Sequence, residues 1–182
     1  MVKVSENLTL VPIAISDQKV LFSLMSRIYP SAYAHYWKDD CSWYLNTIYG
    51  TENLRKELEE VGTSYFFVRF RESVTETTIG ILKVNANCTY PAQPDAKAYK
   101  IHRIYLDPEV QGKGIGKDLM HFTETHAKAS NHKLIWLDAM DTHEQAQAFY
   151  KKLGYIKGDL QHLPFELLND EHRPMWYMHK PL

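Results

Sequence analysis

The stretch from Ile101 to Asp118 constrains this chain more than any other. Ile101 to Leu106 is rich in β-branched and aromatic residues, which favour a strand, and Pro108 ends it. Gly112, Gly114 and Gly116 follow at alternate positions, and Ile115, Leu119 and Phe122 then recur at helical spacing. The order is strand, glycine-rich loop, helix. The first turn of a helix has N–H groups without partners and carries the positive end of the dipole. Glycines let the backbone come close to a ligand. Together they cradle a phosphate or pyrophosphate, and Lys113 and Lys117 add positive charge beside the loop.

Two common phosphate-loop patterns fail here. For GxxxxGKS/T, Gln111 stands in place of the first glycine and Asp118 follows the lysine; for GxGxxG, Lys117 replaces the last glycine. What fits is Gln-x-x-Gly-x-Gly, at Gln111, Gly114 and Gly116. This resembles the acetyl-CoA loop of the GCN5-related N-acetyltransferases (GNAT). The plain alternative is a glycine-rich turn that merely starts a helix. A second segment strengthens the resemblance: the strand-like Lys133 to Ala139, then Ala146, Phe149, Tyr150, Gly154 and Tyr155 in the family's Ala-x-x-Phe-Tyr-x-x-x-Gly-Phe/Tyr pattern. The match is good from Ala98 to Tyr155 and looser elsewhere.

Composition narrows the class. A chain of 182 residues, 45% hydrophobic and 24% charged, suits a single domain over residues 1–182 with its own core. A net charge of −1 gives no basis for a nucleic-acid or anionic-membrane partner, and no apolar run reaches membrane-spanning length. Met1 to Leu10 lacks a signal-peptide core, so a cytoplasmic protein is expected. Cys41 and Cys88 are far apart and suit two free thiols. The nine histidines make no HxxxH and no cluster with ligand spacing, so no metal is expected.

Periodicity predicts strands over Leu8–Ile13, Ser64–Phe70, Thr77–Asn85, Ile101–Leu106, Lys133–Ala139, from Tyr155, and over Met175–His179. It predicts helices from Gln18 until Pro30 interrupts, within Ser31–Tyr49, over Thr51–Val61, over Gly116–Ala129 and from His143 to Leu153. Arg71 to Glu76 reads as a polar turn, and Glu57, Glu59 and Glu60 as a solvated helix face. This order suits an α/β (α+β) arrangement, a mixed sheet with helices on both faces. The resemblance makes this the GNAT fold, a central sheet of about seven strands whose two central strands splay apart around the cofactor's pantetheine arm.

The resemblance implies an acetyl transfer from acetyl-CoA to an amine. Ile104, Tyr105 and Leu106 would hold the pantetheine through backbone groups. Gln111, Gly112, Lys113, Gly114, Ile115 and Gly116 would bind the pyrophosphate, with Lys117 close by. His143 stands where the family has Asn, and Lys152 is within reach of phosphates or is simply solvated. Tyr150 would be the acid that serves the leaving thiolate, or a core aromatic beside Phe149. His102 is a candidate base, with a water chain as the alternative; Lys100 falls where some family members carry a glutamate base.

Tyr36, Trp37, Asp39 and Asp40 lie in the most aromatic part of the chain. They either receive a cationic amine or serve as core and helix caps. A narrower resemblance, carried by Tyr49 to Leu58, Phe149 to Tyr155 and Asn169 to His172, is to the PaiA-type polyamine N-acetyltransferases. It implies spermidine or spermine as the acceptor. Another small amine, a protein N-terminus, or a non-catalytic acetyl-CoA-binding module remain open, and homodimerisation is common in the family.

Overall fold

The computed structural model describes residues 1–182. Its strands are β1 (Val2–Lys3), β2 (Leu8–Pro12), β3 (Thr63–Glu72), β4 (Thr75–Asn85), β5 (Ala98–Leu106), β6 (Leu134–Met140), β7 (Ile156–His162) and β8 (Pro174–Pro181). Its helices are α1 (Gln18–Tyr33), α2 (Ser42–Ile48), α3 (Thr51–Glu59), α4 (Ile115–Ala129) and α5 (Glu144–Lys152). All eight strands form one sheet in the order β1-β2-β3-β4-β5-β6-β8-β7. Every pairing is antiparallel except β5 with β6. No helix is long and apolar enough to cross a membrane.

The sheet is buried on both faces. Along β4, Leu82 and Val84 pack into a core with Ile101, Ile115 and Leu119, under α4. Ile81, in the opposite phase of the strand, packs with Leu21, Met25, Tyr49 and Leu54 under α1 to α3. Each such side chain contributes roughly 1.5–3 kcal/mol on burial.

Several expectations need correction. Pro30 lies inside α1 rather than ending it. It forfeits only the bond its own missing N–H would make to Ser26, and Ala34 N–H still reaches the Pro30 carbonyl. The β3–β4 hairpin turns at Ser73 and Val74: Arg71 pairs with Glu76 and Glu72 with Thr75 in the strand ladder, and Ser73 takes the left-handed φ of +57° that a two-residue turn needs. The expected count of seven strands omitted β1, a two-residue edge strand too short to show a period. Glu57 is not solvated. It is 8% exposed and holds Arg103 of β5 at 2.8 Å and Lys83 of β4 at 3.0 Å.

One irregularity shapes the rest of the molecule. β5 and β6 pair only from Ala98/Leu134 to Ile101/Leu137. β5 then runs on to Leu106 and β6 to Met140, and the two strands splay apart. On the other edge of β5, Lys83 faces Arg103 while Val84 faces Ile101. His102 is therefore the extra residue of a β-bulge, placed where the strands part.

Candidate active site

The floor of the site is the loop between β5 and α4. Gly112 and Gly114 adopt φ of +79° and +78°, a region that L side chains rarely enter, and a Cβ at either would meet nothing within 4 Å. The loop is thus open on the side where side chains would stand. The first helical bond of α4 runs from Asp118 N–H to the Gly114 carbonyl at 3.1 Å, so the N–H groups of the turn before it are free for a ligand. Gly116 is packed differently: its Cβ position lies 3.5 Å from the Phe149 ring of α5. Lys117 and Gln111 are exposed beside the loop. Lys113 is turned away, its ammonium 2.7 Å from Glu72 and 5.6 Å from the centre of the Phe70 ring.

From the loop a groove runs along the open edge of β5. Ile104, Tyr105, Leu106, Gln111 and His143 line it together with Tyr33. The groove shares Tyr29, Tyr33, Ile104, Tyr105 and His143 with a deeper cavity of about 220 Å³ between the splayed strands. Because β6 has left, alternate main-chain groups of β5 beyond Ile101 face this gap.

The cavity walls are mostly aromatic. Tyr29 stacks on Tyr44 at 4.6 Å, and Tyr105 meets Tyr29 edge-on at 5.4 Å and Tyr33 at 5.7 Å. Trp37 donates its indole N–H to the Tyr29 hydroxyl at 3.2 Å. Burial raises the phenols of Tyr29, Tyr33 and Tyr105, so they stay un-ionised. Tyr36 and Trp37 are in this wall. Asp39 and Asp40 are not. Asp39 accepts the Trp43 N–H at 2.6 Å, capping α2, and Asp40 is exposed in a left-handed turn (φ +53°). Asp39 thus serves as a helix cap, and neither aspartate lines the cavity expected to receive the amine.

Three further titratable side chains line the cavity. Tyr150, on α5, lines it, and burial pushes its phenol up to about 12. His143 sits at the N-cap of α5, where its Nδ1 accepts the Ala146 N–H at 3.3 Å. In the neutral ring Nε2 then carries the proton and can donate, and burial holds the ring below its usual range. An Asn side chain would cap the helix in the same way. His102, on the bulge, also lines the cavity, but burial, then Arg103, Lys83 and Lys100, push its imidazole down to about 2. A ring that releases its proton so readily is a poor base. Lys152, exposed in the last turn of α5, takes no part in the cavity wall.

Several residues of the site escaped the sequence reading. Tyr33 and Tyr44 belong to the aromatic run that the sequence singles out, but Tyr29 does not, although Tyr29, Tyr33 and Tyr36 recur at the spacing of one helix face. Leu163, Phe165 and Leu168 come from the irregular segment before β8 and had no periodic signal. Asp138, on β6, is in the wall next to the splay, and only its neighbours in the fold reveal that.

Known proteins agree with this architecture. The family model described as "Acetyltransferase (GNAT) family" matches residues 21–155. An uncharacterised N-acetyltransferase in the pepI 3′ region of Lactobacillus delbrueckii subsp. lactis is 26% identical over 119 residues, 65% of this chain and 66% of that relative. Among solved structures, the PaiA N-acetyltransferase of Thermoplasma acidophilum in complex with coenzyme A superposes with a TM-score of 0.70 at 19% identity, covering 96% of this chain and 99% of that one. The spermidine N-acetyltransferase of Vibrio cholerae in complex with CoA and spermine gives 0.69 at 16% identity, covering 97% and 96%. At these identities the structures speak for the fold: a mixed α/β molecule with a largely antiparallel open sheet. With its model matched over residues 21–155, the chain belongs to the acetyltransferase (GNAT) family of acyltransferases.

Proposed function

We propose that this chain is an acetyl-CoA-dependent N-acetyltransferase acting on a primary amine by direct attack, with polyamines such as spermidine and spermine as the acceptor class. The observation that carries this reading is the split between β5 and β6, which joins the open glycine loop to an aromatic cavity with Tyr150 in its wall. The vacant Cβ positions at Gly112 and Gly114 and the free N–H groups of the turn suit a diphosphate. The groove beside Ile104, Tyr105 and Leu106 suits an amide-bearing arm that can bond to a strand edge. Acetyl-CoA supplies the acetyl thioester when it is bound.

The chain's own residues account for the remaining work. An alkyl amine has a pKa of about 10.4 in water, and only its neutral form attacks. Aromatic walls that exclude water disfavour the charged form. With the His102 imidazole held neutral and weakly basic by burial, no side chain of the wall stores the proton, which passes along water to the bulk solvent. Tyr150 remains a neutral phenol at every working pH and donates a hydrogen bond to the sulfur as it departs. His143 Nε2–H is a second donor where groove and cavity meet.

The polyamine assignment rests on two supports. Aromatic walls hold alkylammonium chains through apolar and cation–π contact, and one similar fold is a spermidine N-acetyltransferase holding spermine, beside a PaiA N-acetyltransferase holding coenzyme A. The test is thiol release from acetyl-CoA over a panel of amines including spermidine and spermine, with Tyr150→Phe beside the wild type. Release with polyamines, reduced in the variant, is expected. Release only with other amines would keep the reaction and discard the polyamine. Coenzyme binding without release would leave a binding module.

A further inference from the structure

The cavity wall contains two charged side chains, Arg103 and Asp138, since His102 and His143 are neutral. Arg103 is committed to Glu57 at 2.8 Å. Asp138 is the one carboxylate in the wall. It follows Leu137, the last residue of β6 to pair with β5, and so stands at the throat of the split, level with His102.

Its partners are arranged unequally. Oδ1 accepts from the Gln161 side-chain amide at 2.9 Å, and the amide oxygen of Gln161 accepts from the Tyr177 hydroxyl at 2.8 Å. This neutral chain fixes the carboxylate from behind. Oδ2 holds the ammonium of Lys100 at 2.7 Å, with the two side chains 14% and 16% exposed. Lys100 reaches it on a flexible stem and lies over the Trp136 ring, 4.1 Å from its centre. The ammonium makes both contacts at once, so on leaving Oδ2 it keeps the ring face as a partner. Exchanging one ammonium for another at Oδ2 keeps the carboxylate paired throughout.

We propose that Asp138 docks an ammonium group of the acceptor, and that Lys100 occupies this carboxylate in the resting protein and gives way to the substrate. The inference rests on the amine-acetyltransferase reading of the cavity and names the residue that selects its substrate. A purely mechanical role, in which the ion pair braces β5 against β6 where main-chain pairing stops, makes different demands.

The test compares wild type, Asp138→Asn and Lys100→Met. It measures the KM and kcat for spermidine, coenzyme A binding, and the Tm. Docking requires that Asp138→Asn raise the spermidine KM by about tenfold or more, the weight of one charge-assisted hydrogen bond, with coenzyme A binding unchanged. It also requires that Lys100→Met, which removes the competitor, lower that KM. A brace requires instead that both variants lower the Tm alike and leave the spermidine KM in place, which would overturn the proposal. If the wild type acetylates no amine, spermidine is titrated into the coenzyme A-saturated protein and followed by tryptophan fluorescence. Saturable binding that Asp138→Asn weakens would keep the docking site while the catalytic reading falls. Equal binding by both, or no binding by either, would refute it.

Discussion

Glu57→Gln tests the physical account of this fold most sharply. The Glu57 carboxylate is the shared counter-charge of Arg103 at 2.8 Å and Lys83 at 3.0 Å, and the three side chains are only 10%, 8% and 1% exposed. Glu60 adds a weaker contact to Lys83 at 3.7 Å from a half-exposed position. Neutralising Glu57 leaves two cations buried side by side, which costs about 3–5 kcal/mol. For a chain of this length each kcal/mol moves the Tm by about 2–4 °C, so the expected fall is about 6–20 °C. Lys83→Met is the control. It leaves a balanced Arg103–Glu57 pair, and its stability should lie within about 1 kcal/mol of wild type, in either direction.

The assay is urea unfolding at pH 7 and again in acid. Burial pushes the Glu57 carboxyl up, but Arg103 and Lys83 outweigh it and hold the group below its ordinary range. A carboxyl whose folded pKa is lowered gives its full stabilisation above the unfolded value of about 4.3. That stabilisation is lost as pH falls through the folded value. The gap between wild type and Glu57→Gln should therefore be widest at neutral pH and narrow below about pH 4. A loss under about 1 kcal/mol at pH 7, or an equal loss in Lys83→Met, would refute the reasoning.

Other outcomes follow from the site. Tyr150→Phe should lower kcat about a hundredfold or more, the lower end for a positioned acid, with the amine KM little changed; steady-state kinetics decide. Gly114→Ala should weaken coenzyme A binding in a calorimetric titration, because the methyl group occupies the open loop; its φ of +78° also costs about 1–2 kcal/mol of stability. His143→Ala should lose about 1 kcal/mol of helix capping and weaken coenzyme A binding, while His143→Asn restores the cap; both are read by unfolding and titration. Since burial holds His102 and His143 neutral, the pH profile of kcat/KM should show no imidazole inflection between pH 6 and 8.

The strand–loop–helix at Ile101 to Asp118 could be read directly because each part declares itself within a few residues: β-branching, alternate glycines, a helical stripe. Tyr150 was found through its spacing from Gly154. What escaped depends on distant partners. Glu57 stands in a run of acids that locally means solvent, and its cations lie on β4 and β5. Asp138 is an ordinary strand residue until the splay exposes it at the throat. The bulge that sets His102 apart is a mismatch of register between two strands, which one strand's pattern does not contain. Asp39 and Asp40 sat beside aromatics in sequence, but a left-handed turn at Asp40 and Cys41 directs them to the start of α2.

The order β6-β8-β7 has a consequence for assembly. The β3, β4 and β5 strands form a meander of sequence neighbours that can close as soon as it is synthesised. β6 and β7 adjoin each other only through β8, whose residues 174–181 come after both. Until that strand inserts, β6 has one short partner, and α5 rests on an unfinished layer. The cleft's second bank is thus a late structure. A ribosome-tethered chain arrested before residue 174 should show protease-resistant β3–β5 and an open, readily digested region from β6 onward.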